Sequence, residues 1–165
     1  MKTSTKKLTL LGISVAAAMV LSYIETFIPV SVAVPGIKLG LANLVTVFLI
    51  YKLDWKSAAA VAAIRVLLTA LLFGNAASLA YSAAGAVLSL LVMALIKSTC
   101  RFSPVGMSAA GAVAHNAGQI IMAVILMGVG EIAYWFPMLV LSGTVTGLAT
   151  GAVGAILISK IPLKD

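Results

Sequence analysis

Charged side chains are scarce in this sequence. Aspartate, glutamate, lysine and arginine make up 9% of its 165 residues, whereas hydrophobic residues make up 62%. A water-soluble domain is about 25% charged, so this chain has too few charges to cover a surface that faces water. The mean hydropathy of +1.19 and the long apolar runs predict an integral membrane protein. These runs are continuous rather than alternating, which excludes a transmembrane β-barrel.

Acidic residues, histidine and cysteine are scarcer still. The chain has four acidic residues, one histidine and one cysteine, Cys100. A single cysteine excludes a disulfide framework and a cysteine metal cluster, and one histidine without a close carboxylate argues against a dedicated metal site. There is no carboxylate pair placed for acid/base work, no aspartate-rich motif and no phosphate-binding Gly-Lys-Ser/Thr loop. We therefore expect no enzyme activity, no nucleotide hydrolysis by this chain, and no cofactor or metal.

The basic residues give a net charge of +7, and their positions predict the topology. Six apolar segments, each long enough or nearly so to cross about 30 Å of hydrocarbon, lie at residues 8–30, 39–51, 57–73, 76–96, 107–127 and 134–159. Nine of the eleven basic residues fall in the terminal segments or in alternate loops, which the positive-inside rule places in the cytoplasm. We predict one all-α membrane domain, 1–165, that crosses the cytoplasmic membrane six times with both termini inside. The same distribution argues against a nucleic-acid partner.

Small residues repeat at helical spacing in three of these segments. The fifth and sixth segments carry one stripe each: Ala110, Ala114 and Gly118, and Gly143, Gly147 and Gly151. Such stripes let helix backbones approach closely, so we expect these two segments to pack within the bundle. The first segment carries the pairs Gly12/Ala16 and Ser14/Ala18. These pairs are equally compatible with packing within the bundle and with docking of a partner protein.

Polar residues inside the apolar segments are few, so each can be considered alone. Arg65 lies near the middle of the third segment, where an unpaired arginine costs about 2.5–3.5 kcal/mol, and it must therefore have partners. His115 and Gln119 are one helical turn apart and share a face. In one interpretation each polar group is paired with its neighbours, for example Arg65 with Glu25. In the other they line a cavity open to the outside, formed by Lys38, Asn43, Arg65, His115, Asn116 and Gln119.

A polar turn precedes the second apolar segment. Pro35-Gly36 breaks the chain, and Lys38-Leu39-Gly40-Leu41-Ala42-Asn43 leads into the apolar residues 44–51. This stretch, together with His115-Asn116-x-x-Gln119, the six short segments and the basic loops, resembles the S components of energy-coupling factor transporters. The closest similarity is to the membrane family called Gx transporters, which is also labelled heptaprenyl diphosphate synthase component I.

The resemblance implies a six-helix bundle that binds a vitamin-like or cofactor-like solute near the outer face. It is compatible with a flavin, or with a precursor of a quinone or an isoprenoid, as the transported molecule. It implies a membrane coupling subunit that contacts the first helix, at Gly12, Ser14, Ala16 and Ala18, and separate ATPase subunits. By this likeness the substrate site draws on Glu25, Lys38, Asn43, Asn75, Tyr81, His115, Asn116, Gln119 and Glu131.

The synthase label gives the alternative function, an accessory membrane subunit in isoprenoid or quinone synthesis. A prenyl-transferring subunit needs acidic magnesium ligands, and this chain has only four acidic residues and no aspartate-rich motif. The residues therefore favour the transport interpretation over the catalytic one.

Overall fold

All regular structure in the described part of the chain is helical. The computed structural model describes residues 5–27, 40–99 and 101–161. The helices are α1 (Thr5–Glu25), α2 (Asn43–Lys52), α3 (Trp55–Phe73), α4 (Ala76–Ser98), α5 (Pro104–Met127), a 3₁₀ helix (Gly130–Trp135) and α6 (Phe136–Lys160). Five helical segments, those of α1, α3, α4, α5 and α6, are long and apolar enough to cross a membrane. The predicted all-helical multi-pass class is confirmed, while the number of crossings and the side of the termini stay predictions.

The second helix is shorter than the predicted segment at 39–51. It has 10 residues and is therefore about 15 Å long, which is half of the hydrocarbon thickness. Gly40, with φ of +85°, and the two residues after it form the turn from which α2 starts. An apolar run of this kind reads the same whether it faces lipid or lies buried inside the protein, and α2 is buried.

The core of the bundle is built around α2, which contacts α1, α3, α4, α5 and α6. Val47 and Leu49 are completely buried there, and Ala58, Met93 and Met107 from three surrounding helices pack against them. Because α2 is apolar over most of its surface, it is stable only when other helices cover it.

The helices α4, α5 and α6 approach one another closely through glycine. A Cβ atom built at Gly147 would lie 2.6 Å from the Ala109 Cα atom, so α6 lies directly against the backbone of α5. A Cβ atom at Gly118 would lie 2.6 Å from the Ala84 carbonyl oxygen, so α5 lies equally close to α4. The close packing predicted from the two stripes is therefore present at Gly147 and at Gly118, and Gly118 faces α4.

The basic turns lie at one end of the bundle, which we call the basic end. Lys7 forms an ion pair with Asp54 at 3.2 Å. The Tyr51 hydroxyl donates to the Phe102 carbonyl at 3.0 Å, and Lys97 Nζ lies 3.5 Å from the centre of the Tyr51 ring. The start of α1, the α2–α3 turn and the α4–α5 turn therefore lie together. The α3–α4 turn and the 3₁₀ helix lie at the opposite end, which we call the far end.

Candidate functional site

The buried arginine of α3 reaches into the half of the bundle near the far end. Arg65 is 4% exposed, and its Nη1 atom donates to the Ser22 hydroxyl of α1 at 3.0 Å. Ser22 lies about 22 Å along α1 from Lys7, at 1.5 Å per residue, and Lys7 is fixed at the basic end by Asp54. The guanidinium group therefore lies well away from the cytoplasmic side that the basic residues predict.

A carboxylate links this arginine to the start of α2. Glu25, the last residue of α1, is buried and its Oε1 atom accepts a hydrogen bond from the Leu41 backbone N–H at 2.6 Å. The same carboxylate attracts Arg65 electrostatically. Glu25 therefore lies between the cation of α3 and the turn before α2, which is a favourable position for a negative charge because helix N-termini carry partial positive charge.

The turn before α2 rests against the histidine of α5. A Cβ atom at Gly40 would lie 3.0 Å from Asn43 Nδ2 and 3.4 Å from His115 Cδ2. His115 Nε2 is hydrogen-bonded to Gln119 Nε2 at 3.1 Å, with the donor set by the histidine tautomer. On its other side the ring packs on Gly85 of α4, where a Cβ atom would lie 2.8 Å from two ring atoms.

These contacts connect side chains from four helices into one group, which we call the polar cluster. Its members are Ser22, Glu25, Asn43, Arg65, His115 and Gln119. Five of them are residues that the sequence singled out, and the structure brings those five together. Each is 6% exposed or less.

Several buried donors near the cluster have no hydrogen-bond partner among the described residues. They include Asn43 Nδ2 and the hydroxyls of Thr69 and Ser82. Thr69 lies one turn beyond Arg65 on α3, and Ser82 lies one turn from Gly85 on α4, which itself contacts His115. Buried polar groups are nearly always hydrogen-bonded, so these donors stand out among the buried groups of the described residues.

Asn116 faces a different helix from its neighbour His115. Its Nδ2 atom donates to the Leu139 carbonyl of α6 at 2.6 Å, and a Cβ atom at Gly143 would lie 2.6 Å from the same nitrogen. The amide therefore joins α5 to α6, and the structure does not bring Asn116 into the polar cluster.

Three further predicted site residues also lie apart from the polar cluster. Asn75 caps α4, since its Oδ1 atom accepts from the Ser78 N–H at 2.8 Å. Tyr81 is buried in an apolar cluster with Ile120 and residues of α5 and α6. Glu131 is exposed in the 3₁₀ helix. Lys38 lies outside the described residues.

The predicted docking residues of α1 divide between two faces. Ser14 and Ala18 are buried within the bundle. Gly12 and Ala16 are exposed, and a Cβ atom at Gly12 would meet nothing within 4 Å. Of these four residues, Gly12 and Ala16 are therefore the ones that present an exposed surface.

Sequence reasoning missed the hydroxyl groups that border the site. Ser22 is the hydrogen-bond acceptor of Arg65, and Thr69 and Ser82 supply the donors described above. The signal that could have found them is helical spacing, because Ser22 precedes Glu25 by three residues and Thr69 follows Arg65 by four. Such small hydroxyl residues are common in membrane helices, and so they did not stand out.

The polar cluster combines side chains of several chemical types. Across the three described ranges, no group of three or more His, Cys, Asp or Glu side chains is placed to hold a metal. The cluster offers one guanidinium cation, one carboxylate, an imidazole and amides, a set that recognises an acceptor-rich or anionic molecule by directional hydrogen bonds.

Comparison with known proteins identifies the family. A family model described as heptaprenyl diphosphate synthase component I matches residues 3–157. No curated protein and no solved structure matches the chain.

Proposed function

The chain belongs to the heptaprenyl diphosphate synthase component I family, and we propose that it is the substrate-binding membrane subunit of an energy-coupling factor type transporter. It binds a vitamin-like or cofactor-like molecule in the far half of the bundle. Separate subunits hydrolyse ATP and drive the movement of the cargo across the cytoplasmic membrane. The observation that carries the proposal is the polar cluster, which is buried at membrane depth and joins α1, α2, α3 and α5.

The physical argument begins with the cost of burying these groups. An arginine in the middle of a helix bundle serves stability poorly, because well-packed apolar residues stabilise a core as well or better. Polar groups at membrane depth commonly mark substrate paths. Arg65 is held by Ser22 and attracted by Glu25, while the nearby Asn43 amide has no described partner. The site therefore has a preorganised cation and at least one donor available to a ligand.

The position of α2 favours the same function. This short helix starts about halfway through the bundle, and its first turn places Asn43 beside His115. Discontinuous helices whose ends lie at membrane depth are typical of solute-binding sites in transporters. The exposed Gly12/Ala16 face of α1 is the surface that we assign to the coupling subunit.

Ligand binding is the direct test. The purified full-length protein is titrated with flavins, thiamine precursors and prenyl diphosphates, and thermal unfolding is followed. A ligand at one hundred times its dissociation constant stabilises the folded protein by about 2.7 kcal/mol. We expect one of these compounds to raise the melting temperature of the native protein and of Lys160→Gln, whose side chain is exposed and lies outside the polar cluster.

The variants Asn43→Ala and Thr69→Val should lose this shift while they remain folded, because each removes a polar group that has no described partner. The proposal fails if no compound produces a shift, or if the Asn43 and Thr69 variants respond as the native protein does.

The family description supports a second function, an accessory membrane subunit of a heptaprenyl diphosphate synthase. Co-purification from native membranes separates the two. An ATPase and a membrane coupling protein that remain bound, and that are lost in Gly12→Leu or Ala16→Leu, favour transport. A prenyl synthase catalytic subunit whose activity depends on this chain favours the alternative.

A further inference from the structure

The helices α3 and α4 leave a furrow between them on the outside of the bundle. Along most of its length the furrow is a groove of about 400 Å³, lined entirely by alanine, valine and leucine. Alanines such as Ala63 and Ala86 stand where larger side chains would fill the space. The groove is therefore apolar and lies at the depth of the hydrocarbon.

At the basic end, beyond the groove, lies a second space whose lining residues include Asp54 and Lys97. This space has a volume of about 290 Å³ and is lined by Trp55, Lys97 and Ser98, among others. Trp55 precedes groove residue Ala59 by one helical turn, and Ala94, which also lines the second space, follows groove residue Leu90 by one turn. The second space therefore lies about one helical turn beyond the groove along both helices, and we call it the mouth of the furrow.

The mouth carries positive charge. Lys97 lines the mouth, and its Nζ atom lies 3.5 Å from the centre of the nearby Tyr51 ring in a cation–π contact. The acidic residue that lines the mouth is Asp54, and its charge is compensated by Lys7 at 3.2 Å and by the Ser57 N–H at 2.7 Å. Lys56, next to Trp55, is exposed. An anionic group is therefore favoured there.

We propose that the α3–α4 furrow is a binding site for an anionic phospholipid, with one acyl chain in the apolar groove and the phosphate group at Lys97. Basic pockets between membrane helices on the cytoplasmic side bind anionic headgroups, and tryptophan is enriched at that interface. Trp55 is 54% exposed at the mouth. The furrow lies on the side of α3 that faces α4, whereas Arg65 faces α1, so this site is separate from the polar cluster and does not depend on the proposed function.

Lipid titration of the delipidated full-length protein, read by native mass spectrometry, tests the site. Phosphatidylglycerol and phosphatidylcholine with identical acyl chains are compared. We expect the anionic lipid to bind about fivefold more tightly, the effect of one lysine near a charged headgroup. Lys97→Gln should abolish the preference, and Ala63→Leu should weaken both lipids because it fills the groove.

Matched controls make the result specific. Lys160→Gln removes a basic residue outside the furrow, and Ala152→Leu enlarges an exposed residue on α6; both should bind as the native protein does. Melting temperatures establish that Lys97→Gln and Ala63→Leu are folded. Equal affinity for the two lipids, an equal loss in Lys160→Gln, or displacement of the phospholipid by farnesyl diphosphate at equal concentration would each overturn the assignment.

Discussion

The backbone N–H of Leu41 donates to the carboxylate of Glu25 at 2.6 Å, so the last residue of α1 holds the turn from which α2 starts. This contact determines where the Asn43 side chain lies, because α2 is short and its first residues are buried. The carboxylate also compensates the positive charge of Arg65. One carboxylate thus holds the turn before α2 and balances the charge of the polar cluster.

Removal of this carboxylate should destabilise the protein. A hydrogen bond to a charged group contributes about 1.5–3 kcal/mol, so we expect Glu25→Ala to lower the free energy of unfolding by about that amount. Glu25→Gln should lower it less, since an amide oxygen still accepts from Leu41. Reversible unfolding in mixed micelles measures both, with the exposed Glu131→Gln as the control. A loss in Glu25→Ala no larger than that in Glu131→Gln would contradict the role assigned to Glu25.

The contact between Arg65 and Ser22 gives a second prediction. Ser22→Ala leaves a buried guanidinium donor without its acceptor, which costs about 1–3 kcal/mol. In Arg65→Met there is no guanidinium group for the serine hydroxyl to accept from. Adding Ser22→Ala to that variant should therefore lower the free energy of unfolding much less than it does in the native protein. A double-mutant cycle measures this coupling. Ser159→Ala, which affects an exposed hydroxyl bonded only to its own helix, should show no coupling, and additive effects of Ser22 and Arg65 would refute the interaction.

Glycine substitutions should separate tight contacts from open surface. Gly147→Ala places a methyl group against the α5 backbone, and Gly118→Ala places one against the Ala84 carbonyl. Neither backbone can move freely, so we expect losses of about 1–3 kcal/mol, as for other overpacked sites. Gly12→Ala meets nothing within 4 Å and should be neutral or stabilise by up to about 1 kcal/mol, because alanine is the better helix former. Equal melting temperatures for Gly12→Ala, Gly118→Ala and Gly147→Ala would contradict the close helix contacts described at Gly118 and Gly147.

The long helices were predictable because their signals are local. Continuous apolar runs bounded by Gly, Pro and lysine located α3 and α4 to within a few residues of their observed bounds. The glycine stripes predicted close packing since residues four apart share a face. The length of α2 was not predictable, because a helix that is buried on all sides has no polar face to distinguish it from a lipid-facing span.

The candidate site was predictable only where chemistry or spacing pointed to a contact. The cost of a buried charge required a partner for Arg65, and His115 and Gln119 share a face by their spacing. Asn116 was grouped with them by sequence position, but adjacent residues on a helix point about 100° apart, and α6 supplies its partner. Asn75 followed a rule that was available from the sequence, since asparagine directly before a helix favours the N-cap.

Acid should remove the contribution that Asp54 makes to stability. The Ser57 backbone N–H donates to this carboxylate at 2.7 Å and holds the pKa of Asp54 below its ordinary value of 3.8, with a further lowering from Lys7 and an opposing effect of partial burial. A carboxyl group whose pKa is lower in the folded protein than in the unfolded chain stabilises the fold at pH values above the pKa of the unfolded chain. This stabilisation is lost as the pH falls through the pKa of the folded protein. Asp54→Asn retains a capping oxygen for α3 and loses the charge. The melting temperature of the native protein should therefore exceed that of Asp54→Asn at pH 6, and the difference should shrink as the pH falls below about 3.8. Lys7→Gln should reduce this difference in melting temperature only in part, because the Ser57 N–H lowers the pKa of Asp54 more than Lys7 does. A difference that stays constant down to pH 3 would show that the charge of Asp54 does not stabilise the basic end.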